Sequence, residues 1–188
     1  MWGKLVNICI GLYKGEGRLH NAIVRRWTDS IYSHAELILP DKTSITIFPF
    51  SLKGVHRELF KMEDEKEWDF ICVPVSPKQL GIIEKFYEQT QGQQYDWVGM
   101  IASQVVPFHI KHQHRWYCSE WIAYALRRAG IINALHDQAD MSPEVLSRML
   151  PHREKIKFSE IPEGTEWNHT WTKVSHFTPD DIDADKER

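Results

Sequence analysis

Apolar and polar positions follow two different rhythms in this chain. Residues 5–13 form a nearly continuous apolar run, which predicts a buried strand, and the glycines at Gly11, Gly15 and Gly17 predict a loop after it. A short helix is expected at 20–27. Residues 32–39 alternate well enough for a strand, Pro40-Asp41-Lys42 predicts a turn, and 44–48 is rich in β-branched residues. Residues 70–75 make another short apolar strand, and the acidic, lysine-dotted stretch 61–67 is expected to be a solvated loop. The later rhythm is helical. Ser76-Pro77 supplies an N-cap and a first-turn proline, and Leu80, Ile83, Phe86 and Tyr87 then recur at helical spacing up to Gly92. A second amphipathic helix is expected at 117–129, stopped by Gly130, and a third opens at Ser142-Pro143 and ends before Pro151. A strand near 155–158 would complete the sheet. Strands followed by helices predict an α+β fold, a small antiparallel sheet packed against helices. One domain is expected over 1–178, with a disordered, Asp-rich tail at 179–188.

Composition narrows the function without choosing it. The chain has 188 residues, enough for one sizeable core. Its net charge of -3 is too small to argue for a strongly charged partner. No Lys/Arg stripe interleaved with aromatics favours nucleic acid. No apolar run approaches the roughly 20 residues needed for a membrane span. The first apolar run is short, contains Asn7 and lacks a small-x-small site after it, so a first strand is expected there and not a signal peptide. The 3 cysteines are few, odd in number and far apart, which argues against a disulfide framework and for a reducing, cytoplasmic setting.

Cys9 and Cys72 lie inside apolar strand runs and read as small hydrophobes. Cys118 differs. It follows the polar, aromatic run His112-Gln113-His114-Arg115-Trp116-Tyr117 and opens the periodicity Cys118, Trp121, Ile122, Ala125, Leu126, Ala129. A thiol in the first turn of a helix meets unpaired backbone N–H groups and the positive end of the dipole, which favour thiolate. Spacing alone leaves two readings, a nucleophile or the first core residue of the helix. A thiolate needs a base that is itself oriented by a third group. In Ser33-His34-Ala35-Glu36-Leu37-Ile38-Leu39, a strand puts Ala35, Leu37 and Leu39 on an apolar face. It puts His34 and Glu36 side by side on the other, about 6–7 Å apart at the backbone. A merely solvated polar face would show the same pattern.

Tyr117-Cys118-Ser119-Glu120 opening a helix resembles the nucleophile motif of papain-like NlpC-type amidases. Gly92-Gln93-Gln94-Tyr95-Asp96-Trp97-Val98-Gly99 is similar to the Gly-x-x-Tyr-x-Trp segment that precedes the cysteine in that superfamily. The histidine strand here comes 84 residues before the cysteine, an order that resembles the circularly permuted branch, the YaeF/YiiX-type amidases. The likeness runs over residues 6–150 and includes Ser142-Pro143 before a Leu-containing helix. It implies a cysteine amidase or peptidase that works through a thioester acyl-enzyme. Cys118 would be the nucleophile and His34 the general base. Tyr95 would serve as oxyanion or substrate donor, with Tyr117 and Ser119 flanking the substrate; aromatic packing beside Trp97 is the plain alternative for Tyr95. No cofactor and no metal are implied. The substrate would carry an amide or ester bond: peptide, isopeptide or lipid-linked. One departure stands out. Permuted relatives often place a polar residue, commonly Glu, on the strand after the histidine strand, and Ser44-Ile45-Thr46-Ile47-Phe48 has no carboxylate. Glu36 takes that role in this reading, with Thr46, Ser44, a backbone carbonyl or water as alternatives.

Three rivals belong to other classes. His109, His112, His114 and Cys118, joined by His34 and Glu36, offer ligands for a metal, although the spacing fits no standard zinc pattern. An acyltransferase of the lecithin:retinol acyltransferase type shares the permuted order, but that family has Asn-Cys-Glu-His-Phe where this chain has Tyr-Cys-Ser-Glu-Trp. A binding module that kept the pocket and lost activity is the third. Trp27, Trp116 and Trp121 would either line an apolar or sugar-binding groove or simply pack.

Overall fold

The computed structural model describes residues 4–15, 30–49, 51–96, 115–133, 141–151 and 154–161. The expected helix at 20–27, the residues Trp97–Gly99 and His109–His114, and the tail at 179–188 lie outside them. Five antiparallel strands form the main sheet: β1 (Val6–Tyr13), β2 (His34–Ile38), β3 (Thr43–Thr46), β4 (His56–Leu59) and β5 (Trp68–Val75), in the order β4-β3-β2-β1-β5. Three helices follow: α1 (Pro77–Thr90), α2 (Cys118–Arg128) and α3 (Pro143–Met149). The fold is therefore mixed α+β with an antiparallel sheet, as the two rhythms of the sequence imply.

Register explains the burial. Ile8, Ile10 and Leu12 of β1 share one face with Ala35 and Leu37 of β2, Ile45 of β3, and Ile71, Val73 and Val75 of β5. This face joins Ile83, Phe86, Trp121, Ile122, Ala125, Leu126 and Leu146 from the helices in the main core. The opposite face carries Cys9, Gly11 and Tyr13, His34, Glu36 and Ile38, and Trp68, Phe70 and Cys72. At its far end Cys9, Ile38 and Phe70 form a second, smaller core under Phe60, Phe158 and Ile161. Strand β1 lies between β2 and β5 with apolar neighbours on both faces, hence its continuous apolar run.

The helices end where their caps dictate. Ser76 and Gln79 form a reciprocal capping box ahead of α1, with Pro77 in its first turn. Ser142 caps α3 by accepting from the Val145 N–H at 3.2 Å. Trp121 locks α2 to α1, stacking on Phe86 at 5.3 Å and donating to Thr90 Oγ1 at 2.8 Å.

Three expectations need correction, those for Cys9 and Cys72, for the setting read from the cysteines and for the strand near 155–158. Cys9 and Cys72 are not independent hydrophobes: the antiparallel register sets them opposite each other, and their sulfurs are bonded at 2.01 Å. Sequence separation hid this, because pairing depends on register. The cysteine count consequently gives no support for a reducing compartment, since disulfides persist in oxidising ones. Strand β4 was not visible in the sequence. The strand expected near 155–158 reduces to a single bridge between Phe70 and Ile156, followed by a 3₁₀ turn at Phe158–Glu160. Within the expected loop at 61–67, Glu65–Glu67 form a 3₁₀ turn capped by Asp64. Among the described residues, no helix is long and apolar enough to cross a membrane.

One glycine contact bears on the site. Gly54 has φ +64°, and a Cβ there would lie 2.4 Å from the Gln93 carbonyl oxygen. The close approach lets Val55 donate to Gln93 at 2.9 Å and Gly92 donate to Val55 at 2.8 Å. The next residues, Gln94–Tyr95 (β6), pair in parallel with Arg115–Trp116 (β7), immediately before α2. Tyr95 is thereby held beside the start of the cysteine helix.

Candidate active site

Strand β3 pairs with β2 at Leu37 and Ile38, short of the start of β2 at His34. The first turn of α2 packs near that start, and the Ala35 N–H donates to the Cys118 sulfur. Cys118 is the first residue of α2, and Tyr117, at the N-cap, makes no side-chain cap. A Ser, Thr or Asp there would occupy a first-turn N–H group. The Ser119 N–H donates instead to the sulfur.

The thiol and the His34 ring are hydrogen-bonded, and both groups are buried, with His34 7% and Cys118 6% exposed. Burial by itself would raise the pKa of the thiol. The His34 charge, its hydrogen bond and the two backbone N–H groups outweigh that and hold the Cys118 pKa below its ordinary value. Burial by itself would likewise lower the pKa of His34, but the Cys118 charge, followed by Glu36, moves it well above its ordinary value. The two shifts run in the directions that a thiolate–imidazolium pair requires.

Two groups orient the ring. His34 Nε2 lies 3.0 Å from Thr46 Oγ1 and 3.4 Å from Glu36 Oε1. Glu36 is only 6% exposed, so the polar face of β2 is not a solvated one. Ser44 stands opposite Ile38, further along the strand from His34, and does not orient it. Phe48 stacks on the imidazole with centroids 4.5 Å apart. Sequence reasoning missed Phe48, although the turn at 40–42 sets a register that brings residues 46 and 48 toward 36 and 34.

Tyr95 is buried, and its hydroxyl is held protonated, its pKa pushed well above the ordinary value by burial and then by Cys118, Tyr117, Glu120 and Asp96. The charges of Cys118 and Tyr117 both act on it. The Ser119 hydroxyl does not face the substrate side; it donates to the Met141 carbonyl and ties α2 to the segment before α3. Trp116 donates to Gln93 Oε1 at 2.6 Å and meets Phe86 edge-on at 5.7 Å, so Trp116 and Trp121 both pack. Trp27 lies outside the described residues. Among the described residues no group of three or more His, Cys, Asp or Glu side chains is arranged to hold a metal ion.

The two orienting groups have separable effects. Glu36→Gln removes a charge that favours the imidazolium, so the alkaline limb of the kcat/KM–pH profile is expected to move to lower pH. Thr46→Val removes only a hydrogen bond and is expected to leave that limb in place. Together they are expected to lower kcat/KM by about 100-fold on an activated ester, part of the range general acid–base catalysis supplies. Steady-state profiles of the two single variants and the double check this.

The chain was compared with protein-family models, with curated proteins and with solved structures, and none of them matches it.

Proposed function

We propose that this protein is a cysteine hydrolase, an amidase or peptidase with the histidine-first order of the permuted NlpC-type enzymes. The observation that carries the reading is the buried Cys118 beside the buried His34, whose ring is held at Nε2 by Thr46 and Glu36 and whose pKa and that of the thiol move in opposite directions, toward imidazolium and thiolate. A cysteine that is merely a core residue needs none of these partners.

The chemistry follows from the charges. The Cys118 thiolate attacks the carbonyl carbon of an amide or ester, and the carbonyl electron pair moves to oxygen. The Cys118 backbone N–H at the helix start and the Tyr95 hydroxyl stabilise that oxyanion. His34 gives its proton to the departing nitrogen or oxygen, the C–N or C–O bond breaks, and a thioester remains. Water then attacks the thioester while His34 takes its proton. The C–S bond breaks, and thiolate and imidazolium are restored. No cofactor enters any step.

Incubation with a p-nitrophenyl ester, quenched with acid and followed by intact mass analysis, tests this. The expected result is one acyl group on Cys118, removed by hydroxylamine and absent from His34→Ala. Ester cleavage with no adduct on Cys118 would contradict the reading.

A further inference from the structure

On the sheet face away from the helices, a cavity of about 290 Å³ opens beside His34 and Glu36. That is the small end of the range for ligand sites, roughly 300 Å³ and upward. Tyr13, Phe48 and Trp68 give it aromatic walls. Four carboxylates, Glu36, Glu58, Glu63 and Glu67, line it against Lys61 and the protonated His34. Glu58 lies near Lys53 and His56, and Glu67 accepts from the Tyr13 hydroxyl. Glu63 has no partner among the described residues.

The cavity also holds buried polar groups without partners. Ser44 is 1% exposed and Ser33 8%, and neither hydroxyl has a hydrogen-bond partner among the described residues. Register places Ser44 on the same face as Ile38 and Glu58, the face on which the cavity opens. A buried hydroxyl left unpaired is costly unless a ligand completes it. Carboxylates beside aromatic faces attract cations and repel anions. An aliphatic chain would strip water from four carboxylates without replacing it.

The position of the cavity matters as much as its charge. Among the described residues His34 lines it and Cys118 does not. In thiol hydrolysis the imidazolium delivers its proton to the departing group, so that half of the substrate lies against the His34 ring, and this cavity adjoins that ring.

We propose that this cavity receives the leaving-group half of the substrate and selects an amine that carries a second, protonated nitrogen. The assignment rests on the hydrolase reading above. On cleavage the scissile nitrogen takes the proton of His34 and leaves as a neutral amine. Its second nitrogen, already an ammonium, stays among Glu58, Glu63 and Glu67.

The test is a titration of the full chain, disulfide intact and histidine-labelled, with 1,5-diaminopentane, using 1,5-pentanediol as the neutral control. The expected result is a saturable shift of the His34 ring signals by the diamine and none by the diol. Affinity for the diamine should fall about tenfold or more in the Glu63→Gln/Glu67→Gln double variant. No shift, equal binding of the diol, or indifference to the double substitution would overturn the proposal. If that variant does not fold, the comparison of diamine with diol on the native chain decides. The acyl-adduct experiment separates the two readings. An adduct on Cys118 without diamine binding overturns the cavity assignment alone. Diamine binding without any adduct overturns the hydrolase reading and the leaving-group role with it.

Discussion

Cys118→Ala is expected to lower kcat/KM on an activated ester by about 10⁴-fold or more, down to what binding and oxyanion donors alone can supply. No other thiol can form the thioester, because Cys9 and Cys72 are joined in a disulfide and Cys118 is the free cysteine. The fold should survive, because alanine suits the first turn of α2 and the rest of its buried face is untouched. A second consequence follows from the charges. The Cys118 charge is the largest influence holding a proton on His34, so the pKa of His34 should fall in the variant. Histidine NMR titration reads that fall, and unchanged circular dichroism excludes unfolding as the cause of lost activity.

Removing the Cys9–Cys72 bond is expected to cost about 4 kcal/mol of stability. The bond joins residues 63 apart in sequence, so its main effect is to restrict the unfolded chain. It also ties β1 to β5, two strands whose other faces carry much of the main core. Denaturant unfolding of Cys9→Ala/Cys72→Ala against the native chain checks this; an unchanged midpoint would contradict it. Thiol counting gives an independent readout, because Cys118 is the free cysteine of the oxidised chain. One thiol is expected to titrate in denaturant before reduction and three after it.

The parts of this fold that announce themselves in sequence are those governed by local physics. Alternation at 32–39 gave β2, and Ser76-Pro77 and Ser142-Pro143 marked the starts of α1 and α3 through their caps. Strand β4, His-Arg-Glu-Leu, left no such trace. It is an edge strand with no fully buried residue, so its composition is that of a loop. The disulfide was hidden because it depends on which residue of β5 faces Cys9, a matter of register that no spacing along the chain encodes.

The candidate site divides the same way. Cys118 at a helix start and His34 beside Glu36 could be picked out from local pattern and motif. Thr46 at His34 Nε2 and the Phe48 stack required the β2–β3 register. The acidic stretch at 61–67 looked like solvated loop, because only the folded sheet brings Lys61, Glu63 and Glu67 to the mouth of a cavity.

The central claim is that Cys118 is a thiolate because His34 is its imidazolium partner. The rate of Cys118 alkylation by iodoacetamide as a function of pH, in the native chain and in His34→Ala, tests it most directly. In the native chain the rate should reach its plateau well below the pKa of a free thiol, about 8.5. In His34→Ala only the Ala35 and Ser119 backbone N–H groups still oppose burial, so the inflection should move up toward or beyond that value. A native profile that inflects like a free thiol, unmoved by His34→Ala, would contradict the account.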